Sequence, residues 1–168
     1  MGSIEAFERE LTALLPRLRR FAHALSRDGA DADDLTQATV ERALRSRDQW
    51  QPGTRLDSWL YRIARNLWID TVRARGRKER HEAPEASAEG IGDDPRGSIE
   101  ATLELKRAMS AMQRLPDEQR EVVALILIEG FGYREAAEML GLPIGTVSSR
   151  LVRGRTALLA MLGGGTDG

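Results

Sequence analysis

The chain has 168 residues, 41% of them hydrophobic, and a formal net charge of −1 at neutral pH, which suits one core of moderate size or two small ones. Cysteine is absent and the two histidines, His23 and His81, lie far apart in sequence, so disulfides, a thiolate metal site and a zinc module are not expected. No long uncharged run occurs, and Glu5, Glu8, Arg9 and Glu10 interrupt the first apolar stretch. Neither a signal peptide nor a membrane span is therefore expected, and the chain is expected to stay in the cytoplasm.

Ile4, Phe7, Leu11, Leu14, Leu18, Phe21 and Leu25 recur by alternating threes and fours, which predicts an amphipathic helix ending before Asp28-Gly29. The stretch from Asp31 to Arg45 opens with acids and closes on Arg42, Arg45 and Arg47, the signs that suit the two ends of a helix dipole. Trp50-Gln-Pro-Gly53 has turn composition, and Thr54 with Asp57 predicts a capping box for a helix from about Arg55 to about Arg75. Leu56, Leu60, Ile63 and Leu67 form its expected buried stripe, with Arg62, Arg65, Asn66, Arg73 and Arg75 spread over other faces. Such a basic amphipathic helix in isolation suits a membrane surface or a nucleic acid. Trp59 and Trp68 lie nine residues apart and so point to opposite sides of it. One is core; the other packs on a second face or meets a base.

Charge is uneven along the chain. From Arg55 to Arg80 eight bases face three acids, whereas from His81 to Glu104 seven acids face the single base Arg96. A basic block followed by an acidic one reads either as competition for one surface or as a solvated spacer. Gly76 to about Gly97 lacks an apolar period and reads as a linker. Ile99, Leu103, Leu105, Met109, Met112 and Leu115 then begin a second helical domain, with Pro116 as the expected first residue of a new helix. Val122 to Ile128 is apolar nearly all round and is expected at the centre of the second core.

Tyr133 to Arg155 reads as two helices joined by a tight turn. Gly141 supplies the positive φ that ends the first, and Pro143 biases Leu142 away from helix before a new period starts near Ile144. That pattern is a helix-turn-helix. At about 100° per residue, Val147, Leu151, Gly154 and Leu158 face inward. Ser149, Val152, Arg153 and Thr156 face out, flanked by Arg150 and Arg155. Short hydroxyls, a small apolar group and guanidinium forks suit a major groove; a solvated outer face is the alternative.

Leu115-Pro-Asp-Glu-Gln-Arg-Glu-Val-Val123, Gly130-Phe-Gly-Tyr-Arg-Glu-Ala-Ala137 and Gly145-Thr-Val-Ser-Ser-Arg-Leu151 together resemble region 4 of bacterial RNA polymerase sigma factors of the extracytoplasmic-function group. Trp59-Leu-Tyr-Arg-Ile-Ala-Arg-Asn-Leu67 is similar to regions 2.3 and 2.4 of that group, and Asp34-Leu35-Thr36-Gln37 to region 2.2. Ala38 departs from the usual glutamate and Val40 from a common phenylalanine.

The resemblance implies an all-α fold of two small helical domains joined by a flexible linker: 1–76 as sigma region 2, 77–97 as linker, 98–162 as sigma region 4, and 163–168 as a disordered tail. It implies a factor without cofactor, metal or catalysis that binds core RNA polymerase through both domains and directs promoter-specific initiation. Asp34, Gln37 and Arg42 would meet the β′ clamp coiled coil, and the second domain the β flap. Trp50, Gln51 and Thr54, in a loop that captures a flipped base, would act with Arg62, Arg65, Asn66 and Arg73 on the minus-ten element. Thr146, Ser148, Ser149, Arg150, Val152, Arg153 and Arg155 would read the minus-thirty-five element. An anti-sigma partner and a place on the nucleoid when active are further implications. A free-standing DNA-binding regulator would need only the helix-turn-helix, and an enzyme acting on nucleic acid would need a metal or nucleophile constellation that the sequence does not offer.

Overall fold

A computed structural model of the chain describes residues 2–26, 28–79 and 99–163, which form helices and the turns between them with no strand among them. The first domain comprises α1 (Gly2–Leu25), α2 (Gly29–Arg45), a 3₁₀ turn (Arg47–Gln49) and α3 (Leu56–Glu79). Helices α1, α2 and α3 pack pairwise. Phe7, Leu11, Leu18, Phe21 and Leu25 of the expected α1 stripe are buried, while Ile4 at its end is exposed. Asp28 caps α2 by accepting a hydrogen bond from the Asp31 amide at 2.7 Å, the contribution expected of an N-cap aspartate.

The buried face of α3 differs from the expected stripe. Leu56 and Leu60 are buried as expected, but Tyr61, Ala64 and Trp68 continue the face, and Ile63 and Leu67 are only half-buried. Aromatic rings bury more area than aliphatic chains, and Ala64 lets the neighbouring helices approach. Tyr61 stacks on Phe21 with centroids 4.5 Å apart. Trp68 is the core tryptophan, and Trp59 is half-buried with its ring edge toward Phe7; of the two readings, the second packing face is the one observed.

The predicted capping box does not form. The Thr54 hydroxyl donates to the Gln51 carbonyl at 2.6 Å within the turn, and α3 starts only at Leu56. Asp57 holds that end instead, accepting from the Ser58 amide at 2.7 Å, from Arg55 at 3.1 and 2.9 Å and from Arg17 at 3.2 Å. At its other end α3 continues through Gly76 to Glu79, past the expected stop, because one glycine costs a helix only about 1 kcal/mol. Most of the expected linker and residues 164–168 of the expected tail lie outside the described residues.

The second domain comprises α4 (Ile99–Arg114), α5 (Asp117–Val123) continued by a π turn (Ala124–Ile128), α6 (Tyr133–Leu140) and α7 (Ile144–Gly163). Pro116 is the N-cap of α5 rather than its first residue. Val122, Val123, Ala124 and Leu125 are buried, but the π turn carries Leu127 to the surface, so the apolar run is central only in its first half. Arg120 is buried and its guanidinium donates to the carbonyls of Met112 (2.9 Å), Gln113 (3.0 Å) and Leu115 (2.7 Å) and to the Asp117 carboxylate (2.7 Å). These carbonyls lie at and just after the end of α4, where no amide one turn on is available in the helix, although the Met112 carbonyl also accepts from the Leu115 amide at 3.1 Å. Arg120 thus closes α4 and starts α5 with one side chain.

Candidate nucleic-acid and polymerase interfaces

The helix-turn-helix forms as its local chemistry requires. Gly141 adopts φ +65° at the end of α6, and the Leu142 amide returns to the Ala137 carbonyl at 3.0 Å. Val147, Leu151 and Gly154 are buried on the inner side of α7. Gly154 lies so close to α5 that a Cβ there would stand 2.8 Å from Val123 Cγ2 and 3.3 Å from Gln119 Cβ. No larger residue fits without moving α5. Seating α7 this deeply turns Val152, Arg153, Arg155 and Thr156 outward into solvent. Thr146, Ser148, Ser149 and Arg150 are half-buried near the start of the helix, and Arg150 lies 3.9 Å from Glu118. The Ser149 hydroxyl donates to the Thr146 carbonyl at 3.1 Å, which leaves its lone pairs to accept from outside. Among the described residues neither Arg153 nor Arg155 meets an acid. The sequence-predicted set therefore gathers along one helix.

The expected minus-ten set is divided. Gln51, Thr54, Asn66 and Arg73 are exposed. Trp50 is only half-exposed, although the resemblance implied a role for it in capturing a flipped base: the ring packs 5.6 Å from Phe7, centroid to centroid, and the indole nitrogen is enclosed without a partner. A large apolar ring beside another takes the contact that burial favours. Arg62 and Arg65 are already engaged. Arg62 donates to the Glu138 carbonyl at 3.2 Å, and Arg65 to the Glu121 carboxylate at 3.1 and 3.5 Å. Both partners belong to the second domain.

Contacts of that kind have no counterpart among the sequence-based expectations, and they join α1 and α3 to the second domain at several further points. Arg55 pairs with Glu135 and lies 4.8 Å from the centroid of the Phe131 ring. Phe131 in turn meets Tyr61 edge-on at 5.5 Å. Arg120 reaches across to the Leu25 carbonyl at 3.2 Å. Glu129 accepts from Arg20 at 2.9 and 3.0 Å and from the Tyr61 hydroxyl at 2.8 Å. Burial and then this hydrogen bond to a carboxylate push the Tyr61 phenol well above its ordinary range, so the hydroxyl is a donor at every physiological pH. Glu129 is marked in the sequence only as one acid at the end of an apolar run.

Asp34, Gln37 and Arg42 are exposed on α2, and Asp34 and Gln37 stand one turn apart on one face. Thr39 and Leu35 take the buried side of the helix. These exposed side chains form a candidate surface on α2.

Both halves of the chain match known proteins. Residues 11–78 match the family model of Sigma-70 region 2, and residues 105–158 that of Sigma-70, region 4. The ECF RNA polymerase sigma factor EcfG of Rhodopseudomonas palustris is 38% identical over 96% of this chain and 88% of its own length. The chain belongs to the extracytoplasmic-function sigma factors. The sigma factor CarQ of Myxococcus xanthus is 33% identical over 96% of this chain and 92% of its own. Among solved structures, the sigma factor RpoE of Bartonella quintana, crystallised with the anti-sigma factor NepR, superposes with a TM-score of 0.85 at 34% identity, covering 98% of this chain and 99% of that one. CnrH in complex with the cytosolic domain of CnrY gives a TM-score of 0.69 at 28% identity over 96% and 90% of the two chains. This sigma factor therefore has the all-α, two-domain fold that the resemblance implied. Its family acts in transcription initiation and is not a family of enzymes, and no helix among the described residues is long and apolar enough to cross a membrane.

Proposed function

We propose that this sigma factor binds core RNA polymerase through the exposed face of α2 and through its second domain, and that it selects promoters with two separate DNA surfaces. The observation that carries this reading is the sorting of exposed chemistry within one chain: Asp34, Gln37 and Arg42 on α2, Gln51, Thr54, Asn66 and Arg73 around α3, and Val152, Arg153 and Arg155 on α7. A free-standing regulator needs only the last of these. The α2 face meets the β′ clamp coiled coil and the second domain meets the β flap. The exposed part of the loop that follows Trp50, with Gln51 and Thr54, and the cations of α3 hold the opened minus-ten strand, because unstacking costs a few kcal/mol per step and polar and basic contacts to the exposed strand offset it. The outer face of α7, from Thr146 to Arg155, reads the minus-thirty-five element in the major groove.

Domains 1–76 and 98–162 act as separate modules on the two elements, joined by residues 77–97. The work is done in the cytoplasm, on the nucleoid when active, and without catalysis by the factor itself. An anti-sigma protein restrains it; the similar structures solved in complex with NepR and with the cytosolic domain of CnrY support that part of the reading. Replacing Asp34 and Gln37 together by alanine tests the reading. Both side chains are exposed, so thermal stability should be unchanged while affinity for core polymerase, measured in competition with another sigma factor, falls about tenfold or more, the loss of a few charge-assisted or polar contacts. Unchanged competition would remove α2 from the polymerase interface.

A further inference from the structure

Asp31, Leu35 and Thr39 follow one another at helical spacing along the buried side of α2, so the first turn of the helix carries a carboxylate on its buried face. Around Asp31 that turn has only Gly29, Ala30 and Ala32, whose side chains are too small to grip a neighbouring helix. The partner of Asp31 therefore fixes this end of α2.

That partner is Arg75, near the end of α3. It donates from both terminal nitrogens, Nη1 to Asp31 Oδ2 at 2.6 Å and Nη2 to Oδ1, the bidentate geometry that orients both groups. The guanidinium also lies 5.9 Å from the centroid of the Trp68 ring. Trp68 precedes Arg75 by about two turns, so the buried ring and the cation share one side of α3. The hydrogen bond to Asp31 outweighs partial desolvation, and with the charges of Asp31, Asp28 and Asp34 it pushes Arg75 above its ordinary range. The cation thus sits among the acids that open α2, one of which is the exposed Asp34. A second tie at this end, Arg19 to Asp33 at 3.4 Å, joins two side chains that are each more than half exposed, and such a pair holds weakly.

Two sets of exposed groups follow from this pairing. Asp34 stands one turn after Asp31 and Gln37 one turn further, so a rotation of the start of α2 moves both. On α3, Arg73 is two residues before Arg75 and nearly opposite it around the helix. Holding Arg75 to α2 turns Arg73 out to solvent, where it is found.

The geometry points to a positioning role for Asp31 and Arg75: their ion pair fixes the rotation of α2 at its start and so presents Asp34 and Gln37 to core polymerase. The pair acts through those side chains and not on the polymerase itself. The inference rests on the proposed use of α2 on core polymerase and adds the residues that set its face.

The test is a double-mutant cycle on the full chain, read as affinity for core polymerase in competition with another sigma factor. Arg75→Gln, at a half-exposed side chain, breaks the fork with little loss of packing. Asp34→Ala with Gln37→Ala removes the groups that the fork positions. Each arm should lower affinity about tenfold, and the two combined should also lose about tenfold, where independent sites would lose about a hundredfold. Arg75→Lys keeps the cation but cannot reproduce the fork, so it should stay close to Arg75→Gln. Arg77→Gln removes an exposed cation two residues further along α3 and should leave affinity unchanged. Asp31→Asn should repeat the loss from the other side of the pair; should that buried change weaken the fold in thermal melting, Arg75→Gln still decides. Losses that multiply, full recovery in Arg75→Lys, or an equal loss in Arg77→Gln would overturn the positioning role, the last by showing that the polymerase responds to the charge of α3 alone. Failure of the polymerase reading is distinguishable: Asp34→Ala with Gln37→Ala would then leave competition unchanged, whereas a failed positioning role keeps that loss and shows none for Arg75→Gln.

Discussion

Helices α3 and α7 carry similar chemistry and are in different states. Both are amphipathic, with arginines opposite an apolar seam, yet Arg55, Arg62 and Arg65 of the α3 region meet groups of the other domain, while Arg153 and Arg155 of α7 face solvent. The seam explains part of the difference. Helix α7 is seated on α5 through Gly154, which commits its inner face within its own domain and leaves the outer face with nothing to pack on. Helix α3 is buried on one side among α1 and α2 and is covered on another by α6. A basic helix face is therefore a statement about chemistry, and its availability is a separate property set by long-range packing.

The largest effect that separates structural from functional cations is expected at Arg120. It resembles a DNA-contacting arginine in composition alone; its donors end α4 and reach Leu25 in the first domain. Arg120→Met fills much of the volume but strands several buried carbonyls, at about 1–3 kcal/mol for each group left unsatisfied. Urea unfolding should show a loss of about 3–5 kcal/mol in total. Arg120→Lys should recover little of it, because a point charge cannot replace the planar fork. A loss below about 1 kcal/mol would mean that water satisfies the α4 terminus and that Arg120 is free for another use.

The same contrast explains what could be read in advance. The helix-turn-helix was legible because it is local: Gly141, Pro143 and the inward series Val147, Leu151 and Gly154 lie within a few turns of one another, and each constrains its neighbours. The first domain was legible in its elements but not in its details. Tyr61 and Trp68 took burial from Ile63 and Leu67, and Trp50 found Phe7, because ring area and neighbour shape decide between faces that a period alone leaves nearly equal. The domain contact was not legible at all. Charge distribution left open competition for one surface by the acidic stretch or a solvated spacer, but that stretch falls largely outside the described residues, and the second-domain acids seen on the first domain are Glu121, Glu129 and Glu135. They lie one or two to a helix, with no local pattern to announce them.

An intermediate effect is expected at Asp57, which ties Arg17 and Arg55 down at the start of α3. Burial opposes its ionisation, but hydrogen bonds from Arg55 and the Ser58 amide, with the charges of Arg55 and Arg17, outweigh it and hold the carboxyl below its ordinary 3.8. The folded value is the lower one, so the unfolded chain binds the extra proton and stability rises with pH through this window. Asp57→Asn should cost about 1.5–3 kcal/mol at neutral pH, the range for hydrogen bonds to a charged group. The gap between parent and variant should persist down to about pH 4 and close as the pH falls through the depressed folded value. Unfolding measured at pH 7 and again in acid decides it. A gap independent of pH would mean that Asp57 acts through shape and not through charge, and would weaken the picture of a first domain whose cations are held by acids.

The smallest effect, and the most selective, is expected on α7. Arg153 stands nearly opposite Val147, Leu151 and Leu158, next to Val152, which is 61% exposed, and it meets no acid among the described residues. With its inner face fixed by Gly154 the helix presents this arginine outward, so the guanidinium is free to fork onto a guanine. Such a pair contributes about 1–3 kcal/mol of discrimination at one base pair. Arg155 lies at the edge of the same face, where the phosphates of a duplex read by α7 would run, and loss of a phosphate contact weakens every sequence alike while lowering the salt slope by about one. Arg153→Ala should therefore lose preference at one upstream base pair with stability unchanged, and Arg155→Ala should lose affinity evenly. Binding of the holoenzyme to a library of upstream sequences at two salt concentrations separates the two. Equal losses across all sequences for Arg153→Ala would assign it to the backbone and move base reading to Ser148, Ser149 and Val152. In that case exposure on α7 would have identified the surface without identifying the reader, because shape and hydroxyl contacts near the start of the helix would carry the choice that the arginine fork was expected to make.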